Sequence, residues 1–543
     1  MLTVSNVMVN FGGQPLFEDV NVKFQPGNCY GLIGANGAGK STFLKVLSGE
    51  LEPSAGHVVI PKGMNLATLE QDQFKYDDAT VLDTVFMGYP RFYKVYKERE
   101  ALYAKAEFTE EDGVRSTELE SDFADLNGYE CEPEAATLLA GLGVTEEDHG
   151  RLMGDLPAGV KVRVLLAQAL FGQPDILLLD EPTNNLDVET TGWLEDYLSR
   201  LDALVIVVSH DRHFLNNVCT HIADIDFRQI RVYVGNYDFW IRASELALQQ
   251  RRDMQRKSQD KAKELKAFIQ RFASNASKAK QATARRKMLD KLTLDELPTS
   301  TRRYPHIVFN AERPCGRSVL QVNNLSASIG DEVLFQDVTF SVFQGDKIAF
   351  VGHDSRARSA LFQILTGERE PDGGTFTWGP TISHSYFPKE NESYFDGVEM
   401  NLIDWLRSDG GEQYEESVRG FLGRMLFSGE DALKRAMVLS GGERVRCMLA
   451  RMMRLEANVL IFDEPTNHLD LESITALNKG MSAFDEVILF ASHDRELVST
   501  VANRVIELAP KGFIDARGDF ERYLTSESIR AQRDELYGSH FSL

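Results

Sequence analysis

The sequence predicts an α/β protein of two tandem domains with mostly parallel sheets, joined by a long α-helical linker and carrying a helical arm in the first domain. Three observations predict this: an internal repeat, short apolar strands alternating with helical stretches, and a charged, proline-free segment between the copies. The repeat is plain in the residues. Leu16-Phe17-Glu18-Asp19-Val20 returns as Leu334-Phe335-Gln336-Asp337-Val338. Asp180-Glu181-Pro182-Thr183-Asn184 returns as Asp463-Glu464-Pro465-Thr466-Asn467, and Ser209-His210-Asp211-Arg212 as Ser492-His493-Asp494-Arg495. These later matches share one offset, which is shorter than that of the earlier match. The first copy therefore holds about 35 residues that the second lacks, between Asp83 and Ala136. There the chain becomes charged and aromatic-rich, a helical pair from Pro90 to about Leu126. The expected layout is a first domain over 1–239 with its arm at about 88–130, a linker over 240–305, and a second domain over 306–543. Within the linker, Glu245 to Arg271 predicts one long helix and a shorter one follows Asn275.

A chain of 543 residues needs more than one core. Its 43% apolar and 26% charged residues are ordinary for a soluble protein. Apolar runs such as Ala203 to Val208 fall well short of the roughly 20 residues of a membrane span. The first residues, Met-Leu-Thr-Val-Ser-Asn, carry neither basic flank nor apolar signal core, so a cytoplasmic location without membrane partners is expected. Five scattered cysteines without a C-x-x-C pair argue for reduced thiols and against a zinc or iron–sulfur site.

Chemistry enters with Gly34-Ala35-Asn36-Gly37-Ala38-Gly39-Lys40-Ser41, followed by Thr42, after the apolar strand Cys29 to Ile33. Its glycines let backbone N–H groups curl around phosphate oxygens, a helix N-terminus adds its dipole, Lys40 reaches the terminal phosphates and Ser41 offers a hydroxyl to Mg²⁺. The strand Ile176 to Leu179 ends in Asp180 and Glu181, one carboxylate for Mg²⁺ and one to polarise an attacking water. His210 follows a second apolar strand, where it would hold the γ-phosphate end of the reaction. Gln71 stands where a side-chain amide could contact metal and water, and Phe11 where an aromatic ring could stack on adenine, although a core role for Phe11 is nearly as well supported. In the second copy, Ser440-Gly441-Gly442-Glu443 opens a helix and offers another phosphate seat. The expected ligands are ATP and Mg²⁺.

This ordered set resembles the ATP-binding-cassette superfamily, and the resemblance covers both copies. Two cassettes joined by a basic helical linker, with Phe268-Ile269-Gln270-Arg271-Phe272, Asn275 to Ala282 and Gly235-Asn236-Tyr237-Asp238, are similar to the ABC-F proteins. The resemblance implies tandem P-loop ATPase domains, a monomer whose cassettes pair head to tail, and ribosome binding with the linker directed toward tRNA. It implies further that the arm faces the ribosomal stalk. Head-to-tail pairing places Lys40 with Ser440 and Gly442 in site one, where Glu181, Lys40, Gln71 and His210 are the candidate catalytic residues and Ser41, Gln71 and Asp180 the candidate metal ligands.

Site two collects all the losses. The second loop has Ser355, Ala357 and Arg358 where the first has Gly37, Gly39 and Lys40, and Asp354 adds a negative charge. Ile329 and Lys389 stand for Phe11 and Gln71, and the opposing signature decays to Leu156-Pro157-Ala158-Gly159-Val160. Asp463, Glu464 and His493 persist, which leaves nucleotide binding there open.

The net charge of −23 hides a reversal: Arg251 to Lys291 holds fourteen Lys and Arg against four acids. Such asymmetry favours an RNA backbone contact, with Arg271, Lys278, Lys280, Arg285, Arg286 and Lys287 as candidates. The arm's Tyr89, Phe92, Tyr93, Tyr96 and Tyr103 are expected to pack its hairpin together. A transporter's ATPase subunit, a DNA-repair cassette, a non-catalytic binding module and an antibiotic-resistance ribosome protection factor are the rival functions. The basic linker, the absence of zinc cysteines and long coiled coils, the intact Glu181 and the short linker tip weigh against them in turn.

Overall fold

A computed structural model describes residues 1–11, 14–69, 72–105, 109–184, 186, 188–272, 284–289, 302–330, 332–352, 354–408 and 414–537. The side chains of Phe11 and Arg271, with a few others inside helices and strands, lie outside that description.

The sequence repeat is a repeat of topology. Each copy holds a six-stranded sheet, in the first in the order Leu66–Thr68, Ile176–Asp180, Leu204–Val208, Cys29–Gly34, His221–Asp226, Gln229–Val234. The second copy gives the same order with His384–Phe387, Val459–Asp463, Val487–Ala491, Lys347–Val351, Arg504–Ala509 and Gly512–Arg517. All neighbours pair in parallel except the last two of each sheet. Central strands such as Leu204–Val208 are buried throughout, which is why they are unbroken apolar runs rather than alternating ones. A three-stranded antiparallel sheet lies in each copy as well, built from Leu2–Phe11, Gln14–Phe24 and Ala55–Val59 in the first. Phosphate loop, Asp-Glu pair and His210 all follow the carboxyl ends of parallel strands, the edge where open α/β sheets place their sites.

The arm consists of helices Pro90–Tyr103 and Glu110–Asp125. Phe92 is fully buried, with ring centres 5.3 Å from Phe86, 5.7 Å from Phe123 and 6.0 Å from Phe171. Tyr103 turns its hydroxyl to Glu120 at 2.7 Å. The arm's aromatic residues therefore fasten the hairpin to itself and to the cassette, at about 1 kcal/mol per ring pair beyond area burial.

The linker helix runs continuously over Tyr237–Phe272, beginning inside the last segment of the first domain. Its anchor is apolar: Tyr237 and Trp240 are buried in the first cassette's core. Arg256, Lys257, Lys261, Lys263 and Lys266 are exposed along the rest. The shorter helix is described over 284–289, with Arg285, Arg286 and Lys287 exposed. Lys278 and Lys280 lie outside the described residues. No helix among the described residues is long and apolar enough to cross a membrane.

Candidate functional site

Site one begins with backbone that only glycine adopts freely. Gly37 and Gly39 have φ of 79° and 99°, and a Cβ on Gly39 would lie 2.5 Å from the Leu16 side chain. Two left-handed residues bend the loop back over the start of helix Lys40–Ser48, whose first N–H groups point into the bend. The buried Lys40 ammonium donates to the Gly34 carbonyl at 2.8 Å. Ser41 and Asp180 line one wall together, a hydroxyl and a carboxylate of the hard-oxygen kind that suits Mg²⁺.

The opposite wall comes from the other cassette. A cleft of about 960 Å³ is lined by Asn36, Gly37, Gly39, Lys40, Ser41 and Thr42 on one side and Ser440, Gly441, Gly442 and Glu443 on the other. Asp180, Glu181 and His210 line the same cleft. Glu443 folds back to accept from the Ser440 N–H at 3.0 Å and its hydroxyl at 2.9 Å, fixing the signature turn. Gln71 and the Phe11 side chain lie outside the described residues; Gly34, Ala35 and Ala38 complete the loop. Thr183, Arg446, Asn467 and His468 also line the cleft, which the motifs alone do not predict. Arg446 lies one helical turn beyond Gly442 on the signature helix Gly441–Leu455. The run after Asp-Glu-Pro is the sequence signal for the others.

Glu181 sits at φ 52°, and its repeat partner Glu464 at φ 50°. A left-handed acidic residue costs about 1 kcal/mol or more, and the same strained turn ends this strand in both copies. Burial pushes the Glu181 carboxyl up to about 8, with Lys40 opposing and Asp180 reinforcing the rise. The His210 backbone N–H donates to Glu181 at 3.2 Å, and its Nε2 stands 3.3 Å from the other carboxylate oxygen. Burial, then the Lys40 charge, drops His210 to about 3, so its imidazole is neutral at pH 7. Burial lowers Lys40 too, against the pull of Glu181, Glu472, Asp470 and Asp180.

A raised carboxyl value has a stability consequence. The contribution of neutral Glu181 is complete below its unfolded value near 4.5 and is lost as pH rises through about 8. Glu181→Gln, always neutral, should therefore stabilise the protein in EDTA without nucleotide, by on the order of 3 kcal/mol at pH 8. Thermal melts from pH 5 to 9 check this: the gain should grow with pH, and a gain that shrinks would contradict the buried carboxyl.

Site two has the same strands and a different loop. Helix Ser355–Thr366 starts three residues earlier than its counterpart, so Ser355 and Ala357 are helical where Gly37 and Gly39 are left-handed. Residues with a Cβ take the helical geometry and the bend is gone. Asp354 caps the new first turn, accepting from the Arg356 N–H at 2.8 Å. An anion seat is thus taken by the chain's own carboxylate. The Arg358 guanidinium, 5% exposed, donates to the Gly352 carbonyl at 2.6 Å and to Glu464 at 3.1 Å, and also lies 3.1 Å from His493 Nε2. Ser359 donates to Asp463 at 2.6 Å, and Lys389 to Ser355 at 3.0 Å. Burial would raise Glu464, but His493 and Arg358 outweigh it and hold the carboxyl low. Across this site Pro157 stands at the helix start in place of Ser440.

Known proteins give a consistent picture. A family model described as ABC transporter matches residues 17–184 and 335–467, and an associated model of the same description matches 223–309. The ABC transporter ATP-binding protein YkpA of Bacillus subtilis is 54% identical over 99% of this chain and 100% of its own length. YbiT of Escherichia coli O157:H7, a probable ATP-binding protein, is 44% identical over 97% and 100%. ABC transporter F family member 5 of Arabidopsis thaliana is 29% identical over 98% and 78%. Among solved structures, an archaeal ribosome recycling factor in complex with a ribosomal stalk protein shares the fold at TM-score 0.60 and 16% identity, covering 96% of this chain and 92% of that one.

Proposed function

This chain belongs to the F branch of the ATP-binding-cassette family, and from that premise we propose that it is an ATP-hydrolysing translation factor that acts on the ribosome and hydrolyses ATP at site one alone. One observation carries the hydrolytic assignment: loop, signature, Asp-Glu pair and His210 meet in a single cleft between the cassettes, whereas the second loop is wound into helix. Bound Mg²⁺ would be held by Ser41 and Asp180, with Gln71 as a further candidate, and supplies charge neutralisation of the phosphates. Lys40 and the loop N–H groups hold the phosphate chain. The signature residues Ser440 and Gly442 close over it from the other cassette, so only a closed pair has a complete site. Glu181, whose proton affinity lies near working pH, takes the proton of the attacking water. Neutral His210 orients that carboxylate through the contacts already described.

The ribosomal part rests on charge. A segment of about +10 lies within a chain of −23, and its described basic residues, among them Arg256, Lys263 and Arg285, are exposed, which suits a phosphate backbone. The archaeal ribosome recycling factor that shares this fold accords with it. Arg271, Lys278, Lys280, Arg285, Arg286 and Lys287 are the proposed contacts. Co-sedimentation with ribosomes of the Glu181→Gln protein in ATP, over a salt series, tests the reading. Pelleting that falls as salt rises is expected, and neutralising Arg285, Arg286 and Lys287 should flatten the log–log slope by roughly one per lost phosphate contact. No pelleting at any salt would sink the ribosomal assignment and leave the ATPase standing.

A further inference from the structure

Both cassettes contain the same buried socket, an acid on a sheet strand beside an aromatic ring. In the first it is Asp224 with Trp240, whose indole donates to the carboxylate at 3.2 Å. In the second it is Glu507 with Tyr523, whose hydroxyl donates to it. Glu507 and Tyr523 are the repeat partners of Asp224 and Trp240, at the same offset that relates Asp180-Glu181 to Asp463-Glu464. An arginine fills each socket, from a different place. In the second cassette Arg533, on the C-terminal helix Glu527–Tyr537, donates to Glu507 at 2.7 Å and lies 5.0 Å from the Tyr523 ring centre. Cassette and filler belong together there.

In the first cassette the arginine arrives from the far end of the linker. Arg302 donates to Asp224 at 2.5 Å and lies 4.4 Å from the centre of the Trp240 ring, so the residue leaving the linker rests on one near its entry. Its other terminal nitrogen donates at 2.7 Å to Glu472 of the second cassette. The three side chains are 9%, 11% and 3% exposed. Glu472 lies in the first turn of helix Leu471–Ala483, which Asp470 caps. Leu471 packs into the first cassette's core, and its carbonyl accepts from Arg212 at 3.4 Å. The charges of Glu472 and Asp470 both reach Lys40.

We infer that Arg302 is a positioning residue for ATP hydrolysis, a clasp by which the linker's returning end holds the second cassette closed over site one. This rests on the site-one reading above. When the cassettes separate, Glu472 leaves Arg302, and the buried guanidinium loses a partner; closure and the seating of the linker base are therefore one equilibrium. A linker moved by its partner would pull on that equilibrium through Arg302, and by reciprocity nucleotide-driven closure would seat the linker.

The full-length protein carries the test. Arg302→Met should lower kcat about tenfold with the ATP KM changed far less, because closure fails while the phosphate loop persists. Arg302→Lys should recover much of the loss. Glu472→Gln, which spares the Asp224 socket, should lower kcat similarly with a smaller fall in Tm. Arg533→Met is the matched control: its socket is equally broken, so Tm falls, but kcat stays within about twofold. An unchanged kcat in Arg302→Met and Glu472→Gln, or an equal loss in Arg533→Met, would overturn the clasp and leave Arg302 a structural arginine. Glu181→Gln run beside them separates the two proposals: if it still turns over ATP, the site-one reading has failed, and if it is dead while Arg302→Met is normal, only the clasp has.

Discussion

Glu181→Gln should abolish steady-state ATP turnover, by a factor of about 100 or more, while Glu464→Gln leaves it within a few-fold of the parent protein. The two acids are repeat partners with nearly identical backbone, so the difference lies in what surrounds them. Glu181 faces the composite cleft with Lys40 and a pair of left-handed glycines. Glu464 is paired with Arg358 behind a loop that has become helix. A phosphate-release assay at saturating ATP distinguishes them directly. Loss of activity in Glu464→Gln with Glu181→Gln active would move the chemistry to the second site.

The second large effect is on stability. Arg358→Met leaves the buried Glu464 carboxylate with His493, 3.1 Å away, as its remaining partner, so the loss should be about 2 kcal/mol, below that of a fully unpaired buried charge. Denaturant unfolding should show this loss, and the double variant Arg358→Met, Glu464→Gln should recover much of it, since a neutral pair needs no counter-charge. The pH dependence runs opposite to that of site one. Glu464 is held below its ordinary value, so its contribution is present above about 4.5 and disappears as pH falls through the folded value. Equilibrium dialysis should find one ATP per chain in the parent protein. Two sites of comparable affinity would mean that the helical loop rewinds on binding.

Arg358 also shows what a sequence conveys and what it conceals. That Arg is a poor replacement for the phosphate-binding Lys follows from shape alone. That it becomes the buried cation paired with Glu464 follows only from the distances to Gly352, Glu464 and His493. Gly-to-Ser and Gly-to-Ala changes at 355 and 357 signal a hindered loop in one dimension. Their real consequence, three extra helical residues capped by Asp354, needs the backbone geometry.

By itself the sequence determined the tandem α/β architecture, the arm as a helical pair, the long linker helix and the sequence elements that would form site one. These are local matters or repeated ones: apolar runs, loop spacing and charge density carry their physics within a few residues. The pairing of the first cassette's phosphate loop with the second's signature, which the sequence offered only through resemblance, is a shared cleft in the tertiary structure. Only it brought Arg302 to Asp224, Trp240 and Glu472, three partners from a strand, the linker's own entry and the opposite cassette. The reason is that a buried ion pair is specified by what the folded chain surrounds it with, and no periodicity in the sequence encodes a partner so distant along the chain as Glu472 is from Arg302.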